Sequence, residues 1–293
     1  LSRTVTEISA LLSNKAEVPS TDRLIEIIQM DPVVVSSVLR RINSAYYGLN
    51  RRFDDIGKAV VMMGFLEVSN IVLTSGFVGI RRAIASKSQA AVLDHLFRLS
   101  VGSGFFMRLI ASRVHVSHTA TAYTTGLLHS VGRLVLLYNH PDAYVELWQS
   151  DRPRFAPTAE EERRHIGIDH LTLGGIAAEH WKLPEPIGSL IEAYGSPGLL
   201  AEHQLRNLAL SLKLSVELTE QLCTFRERVP PIYGEKAPEA PVFDPIASGF
   251  SFDYPPEVEI LAQSSNLDVD DLRALLDSNQ RDAIHYIESM TQG

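Results

Sequence analysis

Cysteine is almost absent. Cys223 is the single one in 293 residues, so no disulfide can form within the chain and a cysteine-rich zinc site is excluded by counting. A reducing, cytoplasmic setting is the expectation. Excess basic charge is missing too: 27 Lys and Arg stand against 35 Asp and Glu, for a formal charge of −8. That balance disfavours nucleic acid as a partner, because phosphate-backbone binding uses a basic surface. No apolar run approaches the roughly 18 to 20 residues of a membrane span. Leu1-Ser2-Arg3-Thr4 lacks the basic-then-apolar layout of a signal peptide, so no membrane partner is expected. The chain does not start with Met, which leaves room for a partner domain ahead of it in a longer protein. Runs of alternating apolar and polar residues between hairpin turns are also lacking, and the fold class expected is all-α.

What the chain has is hydrophobic content, 45% of its residues, enough for one large core or two smaller ones. Val35, Val38, Leu39 and Ile42 recur at the spacing of an amphipathic helix. Asp31-Pro32 ahead of them can start it, with Asp capping the first turn and Pro lacking a donor that would go unpaired. A helix from Ser20 or Thr21 to about Met30 precedes it. Gly48 and Asn50-Arg51-Arg52 break the pattern, Asp54 or Asp55 restarts it for residues 56–63, and Gly64 separates a further helix over 65–78. A long helix is predicted over 89–113. The stripe Leu127, Val131, Leu134, Val135 and Tyr138 predicts another, with His129 beside its apolar face. From Val229-Pro230-Pro231 to Pro255-Pro256 the chain is too rich in proline for continuous helix and reads as a surface excursion. Helical periodicity returns over 257–265 and 269–289, with Asn266-Leu267-Asp268 as the capped turn between them.

Two clusters far apart in sequence carry a resemblance. The first is Asp31-Pro32 followed by Asn43-Ser44-Ala45-Tyr46-Tyr47-Gly48. The second is Gly126-Leu127-Leu128-His129-Ser130-Val131-Gly132-Arg133-Leu134-Val135-Leu136, followed by Glu162, Ile168-Asp169-His170, Gly174-Gly175 and Trp181-Lys182-Leu183-Pro184. Together they resemble the HDOD family, a degenerate branch of the HD-domain phosphohydrolases found in bacterial signalling proteins. The resemblance covers about residues 11–222. It implies an N-terminal helical subdomain over 1–88 and an HD-like helical core over 89–222. A proline-rich excursion over 223–256 and C-terminal helices over 257–293, packing back on the core, complete the expected layout.

In active HD hydrolases, the resemblance implies, a His on one helix, a His-Asp pair on the next and a later Asp hold divalent metal. Neutral imidazoles donate nitrogen, carboxylates offset the charge, and the metal acidifies a bound water that attacks phosphorus. Residue by residue, this chain departs from that pattern. Leu99 stands where the first His is expected and Ser130 replaces the aspartate. Tyr194-Gly195 stands where many members have paired His, and the later carboxylate falls near Asn207 or Leu210. His129 and His170 survive. A serine hydroxyl stays neutral near pH 7 and cannot supply the anionic oxygen that a hard cation prefers.

Each of these residues also has a structural reading. His129 and His170 read as hydrogen-bonded core histidines, Asp169 as a helix cap, and Asn43 as a tie between a helix end and the following loop. Asp94-His95 reads as an exposed helical pair, and His115 and His118 as parts of a polar loop. Arg51-Arg52 and Arg81-Arg82 read as solvated surface, and Trp148 and Trp181 as core. The resemblance therefore implies no catalytic residue, no metal and no cofactor. The expected role is that of a signalling module, such as a response-regulator output, contacting signalling proteins that include receiver or cyclic di-GMP-related domains. Two alternatives stand beside it. One is a metal-dependent phosphohydrolase acting on a cyclic dinucleotide or nucleotide through His129 and His170. The other is a nucleotide sensor using a vacated cleft among Leu99, His129, Ser130, His170 and Tyr194.

Overall fold

The computed structural model describes residues 3–13, 20–44, 47, 53–83, 87–114, 119–149, 156–183, 185–228, 245 and 249–291, and the regular structure among them is helical. Ala45, Tyr46, Gly48, Arg51, Arg52, His115, His118, Pro184 and residues 229–244 of the proline-rich stretch lie outside the described residues, as do the side chains of Arg81 and Arg82. No single helix among the described residues is long and apolar enough to cross a membrane.

The N-terminal helices are α1 (Arg3–Ser13), α2 (Thr21–Gln29), α3 (Pro32–Ile42), α4 (Ile56–Met63) and α5 (Phe65–Ala83). Their ends follow local chemistry. Ser20 accepts from the Arg23 N–H at the start of α2, and Asp55 accepts from the Lys58 N–H at the start of α4. Each satisfies a donor that the first turn leaves unpaired. Gly64, at φ +84°, adopts a backbone that residues with a Cβ avoid, and the chain bends by 115° there between α4 and α5. Asp31 accepts from the Val34 N–H at 3.3 Å and from the Thr4 hydroxyl of α1 at 3.2 Å. Asn43 donates to the carbonyls of Leu39 and Phe53 and accepts from the Phe53 N–H, bonds of 2.7 to 2.8 Å that clamp the end of α3 to the segment before α4. Ser44 donates to the Arg41 carbonyl.

The central helices are α6 (Lys87–Val114), α7 (Thr119–Leu128), α8 (Val131–Asn139), α9 (Pro141–Gln149), α10 (Ala159–Ile166), α11 (His170–His180), α12 (Ile187–Ala193) and α13 (His203–Arg228). At the C-terminal end stand α14 (Glu257–Ser264), α15 (Val269–Ser278) and α16 (Gln280–Thr291). Helix α6 is the axis, packed against α7, α13 and α16, while α11 lies on α8 and α12. Among the described residues one buried hydrophobic cluster runs from Ile8, Leu24 and Val68 through Leu96, Phe106 and Leu127 to Leu261, Leu276 and Ile287. Each such side chain contributes about 1.5–3 kcal/mol on burial.

Several expectations change. The stripe from Leu127 to Tyr138 belongs to two helices, because α7 ends at Leu128 and His129 and Ser130 form the turn into α8; Tyr138 is 64% exposed. The predicted helix over 269–289 breaks at Asn279, whose side chain donates back to the Leu275 carbonyl, and α16 then turns onto α6. His95 is buried rather than exposed, edge-on to Trp148 at 5.3 Å, because α6 is covered on most sides. Trp181 is half-buried at the end of α11 rather than in the core. The stretch over 223–256 is not a surface excursion throughout: α13 continues to Arg228, Pro245 is buried, and Phe250 and Phe252 stack inward on Phe225 and Phe106.

Candidate functional site

The turn between α7 and α8 places His129 and Ser130 deep in the molecule. Two residues on, Gly132 lets α8 lie directly on α11: a Cβ there would overlap the His170 carbonyl oxygen. This contact brings the next residue, Arg133, against the start of α11.

Arg133 and Glu162 are the centre of the site. The Glu162 side chain is 0% exposed and that of Arg133 5%, with Arg133 Nη1 3.0 Å from Glu162 Oε1. The same Nη1 donates to the Pro157 carbonyl at 2.6 Å, and Tyr144 of α9 donates its hydroxyl to Glu162 Oε1 at 3.0 Å. The other carboxylate oxygen accepts from the His170 backbone N–H at 2.8 Å and from His170 Nδ1 at 2.5 Å. Glu162 thus accepts four hydrogen bonds. Burial alone would push its carboxyl pKa up, but the Arg133 charge and the bonds from His170 outweigh that and hold it below the usual range. Burial disfavours charge on Arg133 as well; the carboxylate reverses this and keeps the guanidinium protonated.

His170 is neutral. Burial first, and the nearby Arg133 charge second, lower its pKa. Since Nδ1 faces a carboxylate that can only accept, the proton sits on Nδ1. Nε2 is then the acceptor, facing the Tyr194 hydroxyl at 2.9 Å and Arg133 Nη2 at 3.2 Å. Burial pushes the Tyr194 phenol up to about 12, so it remains a donor at neutral pH.

His129 differs. Its Nδ1 donates to the Gly126 carbonyl at 2.6 Å, and its Nε2 is buried with no hydrogen-bond partner. Burial, then the nearby Arg133 charge, lower its pKa to about 3, against the backbone bond to Gly126 that acts the other way. Ser130 is paired with Ser100 of α6, Oγ to Oγ at 2.5 Å.

The residues do not fit a divalent metal. Leu99 is apolar and buried, the Ser130 oxygen is neutral and taken by Ser100, and the Glu162 oxygens are saturated. Asn207, on α13, bonds to Ser264 and Ser265 around α14, and Leu210 is apolar and buried. Among the described residues no three His, Cys, Asp or Glu side chains are grouped as a metal would need. Beside His170 and Glu162 the positive charge is that of Arg133. The cleft expected around Leu99, His129, Ser130, His170 and Tyr194 is filled by those side chains, all at 6% exposure or less, while Gly195 is exposed. Asp169 caps α11, accepting from the Leu171 and Thr172 N–H groups and from Arg163.

Arg133, Tyr144 and Ser100 were not singled out by the sequence, and Glu162 entered only as part of the resemblance, with no chemical role assigned. Arg133 carried a signal, since it lies in the same motif four residues after His129. Tyr144 carried none.

Comparison with known proteins bears on this arrangement. The model of the HDOD domain matches residues 1–197. The chain belongs to the HDOD family. An uncharacterized protein of Treponema pallidum (strain Nichols) is 27% identical over 165 residues, which are 56% of this chain and 31% of the relative, so the match spans about a third of that relative's length. Among solved structures, an HDOD domain protein of unknown function from Geobacter sulfurreducens aligns over 99% of this chain and 92% of its own, with TM-score 0.73 and 20% identity. A protein of Shewanella amazonensis SB2B proposed to be a phosphohydrolase aligns over 99% and 94%, with TM-score 0.65 and 20% identity. A proposed signal transduction protein of Marinobacter aquaeolei VT8 aligns over 99% of this chain and 59% of its own, with TM-score 0.67 and 19% identity. At such identities the likeness is one of fold, and an all-helical HDOD fold is what these chains share.

Proposed function

We propose that this HDOD chain is a non-catalytic module that acts through contacts with other signalling proteins in a bacterial signal-transduction system. One observation carries the reading: the His170 Nε2 lone pair faces the Arg133 guanidinium, itself held by Glu162, and the residue after His129 is a neutral serine paired with Ser100. A buried guanidinium provides charge but no Lewis-acidic centre to bind and acidify a water, and its Nη2 faces the His170 lone pair that a metal would need. The name of the Marinobacter neighbour agrees with a signalling role. Phosphohydrolase activity is the second reading, favoured by the retained His129, whose Nε2 is unpaired, and by the name of the Shewanella neighbour.

The test is metal content and turnover. After incubation with Mn²⁺ or Fe²⁺ and desalting, the protein is expected to retain well under one equivalent of metal and to leave cyclic di-GMP and bis(p-nitrophenyl) phosphate uncleaved. Two equivalents of metal, with turnover abolished by His129→Ala, would overturn the proposal. Calorimetric titration with cyclic di-GMP and common nucleotides separates a sensor from a protein-contact module, for which no heat is expected.

A further inference from the structure

The Glu162 carboxylate is 0% exposed and takes four hydrogen bonds, from Arg133, Tyr144, the His170 backbone and the His170 ring. Three of those donors are neutral. Only Arg133 brings a full positive charge, and a buried carboxylate without one is strongly disfavoured. Arg133 comes from α8, Tyr144 from α9, Glu162 from α10, His170 from the first turn of α11 and Tyr194 from the end of α12, so a single charge closes a contact among five elements.

We propose that the Arg133 guanidinium is the resident cation of this site: the scaffold keeps a demand for positive charge, imposed by Glu162, and meets it from within the chain, where the charge holds helices together rather than activating water. This rests on the non-catalytic reading and deepens it. Arg133 suits the role because its planar fork reaches the Pro157 carbonyl, Glu162 and His170 at once, whereas a lysine ammonium is a single point of charge.

The test is a charge-coupling cycle with cation rescue. Arg133→Ala, Glu162→Gln and the double variant are compared with the parent by chemical denaturation, alone and with n-propylguanidinium or Mn²⁺ added at millimolar level. The double variant should be more stable than the sum of the single losses, by about tenfold or more in the folding constant, because charge and countercharge leave together. Added n-propylguanidinium or Mn²⁺ should raise the midpoint of Arg133→Ala and leave the double variant and the parent unmoved. Additive losses with no recovery by either cation would overturn the proposal. Should Arg133→Ala not fold, the neutral pair Arg133→Met with Glu162→Gln carries the test. Folding of that pair supports a demand for charge; its failure overturns it, since the shape of the arginine and not its charge would then be what the site needs. Turnover by the parent protein would defeat the non-catalytic reading while leaving the coupling intact, whereas lost coupling would defeat this proposal alone.

Discussion

His129 and His170, the two histidines that the resemblance marks as candidate metal ligands, are both buried and both neutral, yet their surroundings differ. His170 has every polar atom used: its backbone N–H and Nδ1 serve Glu162, and its Nε2 receives Tyr194 and Arg133. His129 keeps one bond to a backbone carbonyl and leaves Nε2 unpaired in the interior. Two buried histidines on one scaffold thus differ by which partners come within their reach. The imidazole within reach of the Arg133 guanidinium joins a hydrogen-bonded network, and the one out of its reach keeps its local bond alone.

Four measurements can break or sharpen that contrast. The largest effect belongs to Glu162→Ala, which leaves Arg133 buried without its counter-ion; a loss of about 3–5 kcal/mol is expected in urea denaturation. Next comes His170→Leu, which leaves the Tyr194 hydroxyl and Arg133 Nη2 without their acceptor, at about 2–4 kcal/mol by the same measurement. The acid limb of stability should be smaller per step. Both histidines have pKa values below that of the unfolded chain, so the unfolded state binds more protons once the pH drops below about 6.5, and stability present above that pH falls as the solution is acidified. The slope is at most about 1.4 kcal/mol per pH unit for each histidine. For His129 the window runs from about 6.5 down to about 3, and His129→Leu should remove its share of the slope. The smallest effect is that of His129→Leu at neutral pH, expected within about 1 kcal/mol, because the lost bond to Gly126 is offset by removal of an unsatisfied atom. Equal losses at His129 and His170 would dissolve the contrast.

Much of the fold could be read from local chemistry. Ser20, Asp55 and Asp268 cap helices because a short polar side chain satisfies first-turn donors, and Gly64 ends one because it tolerates positive φ. Where the reading failed, the cause was tertiary. The stripe from Leu127 to Tyr138 looks continuous, but the chain turns at His129 and Ser130 so that Gly132 can meet α11. His95 reads as polar surface, yet α6 is enclosed and the imidazole packs on Trp148. At the site, Leu99, His129, Ser130, His170 and Tyr194 were found through motif order. The partnership of Arg133 with Glu162 spans 29 residues and leaves no periodic trace.

The helical class, the start of most helices, the resemblance to the HDOD family and the departure of Leu99 and Ser130 from the pattern that this resemblance implies are all legible in the chain, because caps, periodicity and residue chemistry are local or counted properties. Which charge faces Glu162 is settled only in three dimensions. A buried carboxylate needs a positive charge close to it, and which cation meets Glu162 depends on helices α8, α10 and α11 converging in space.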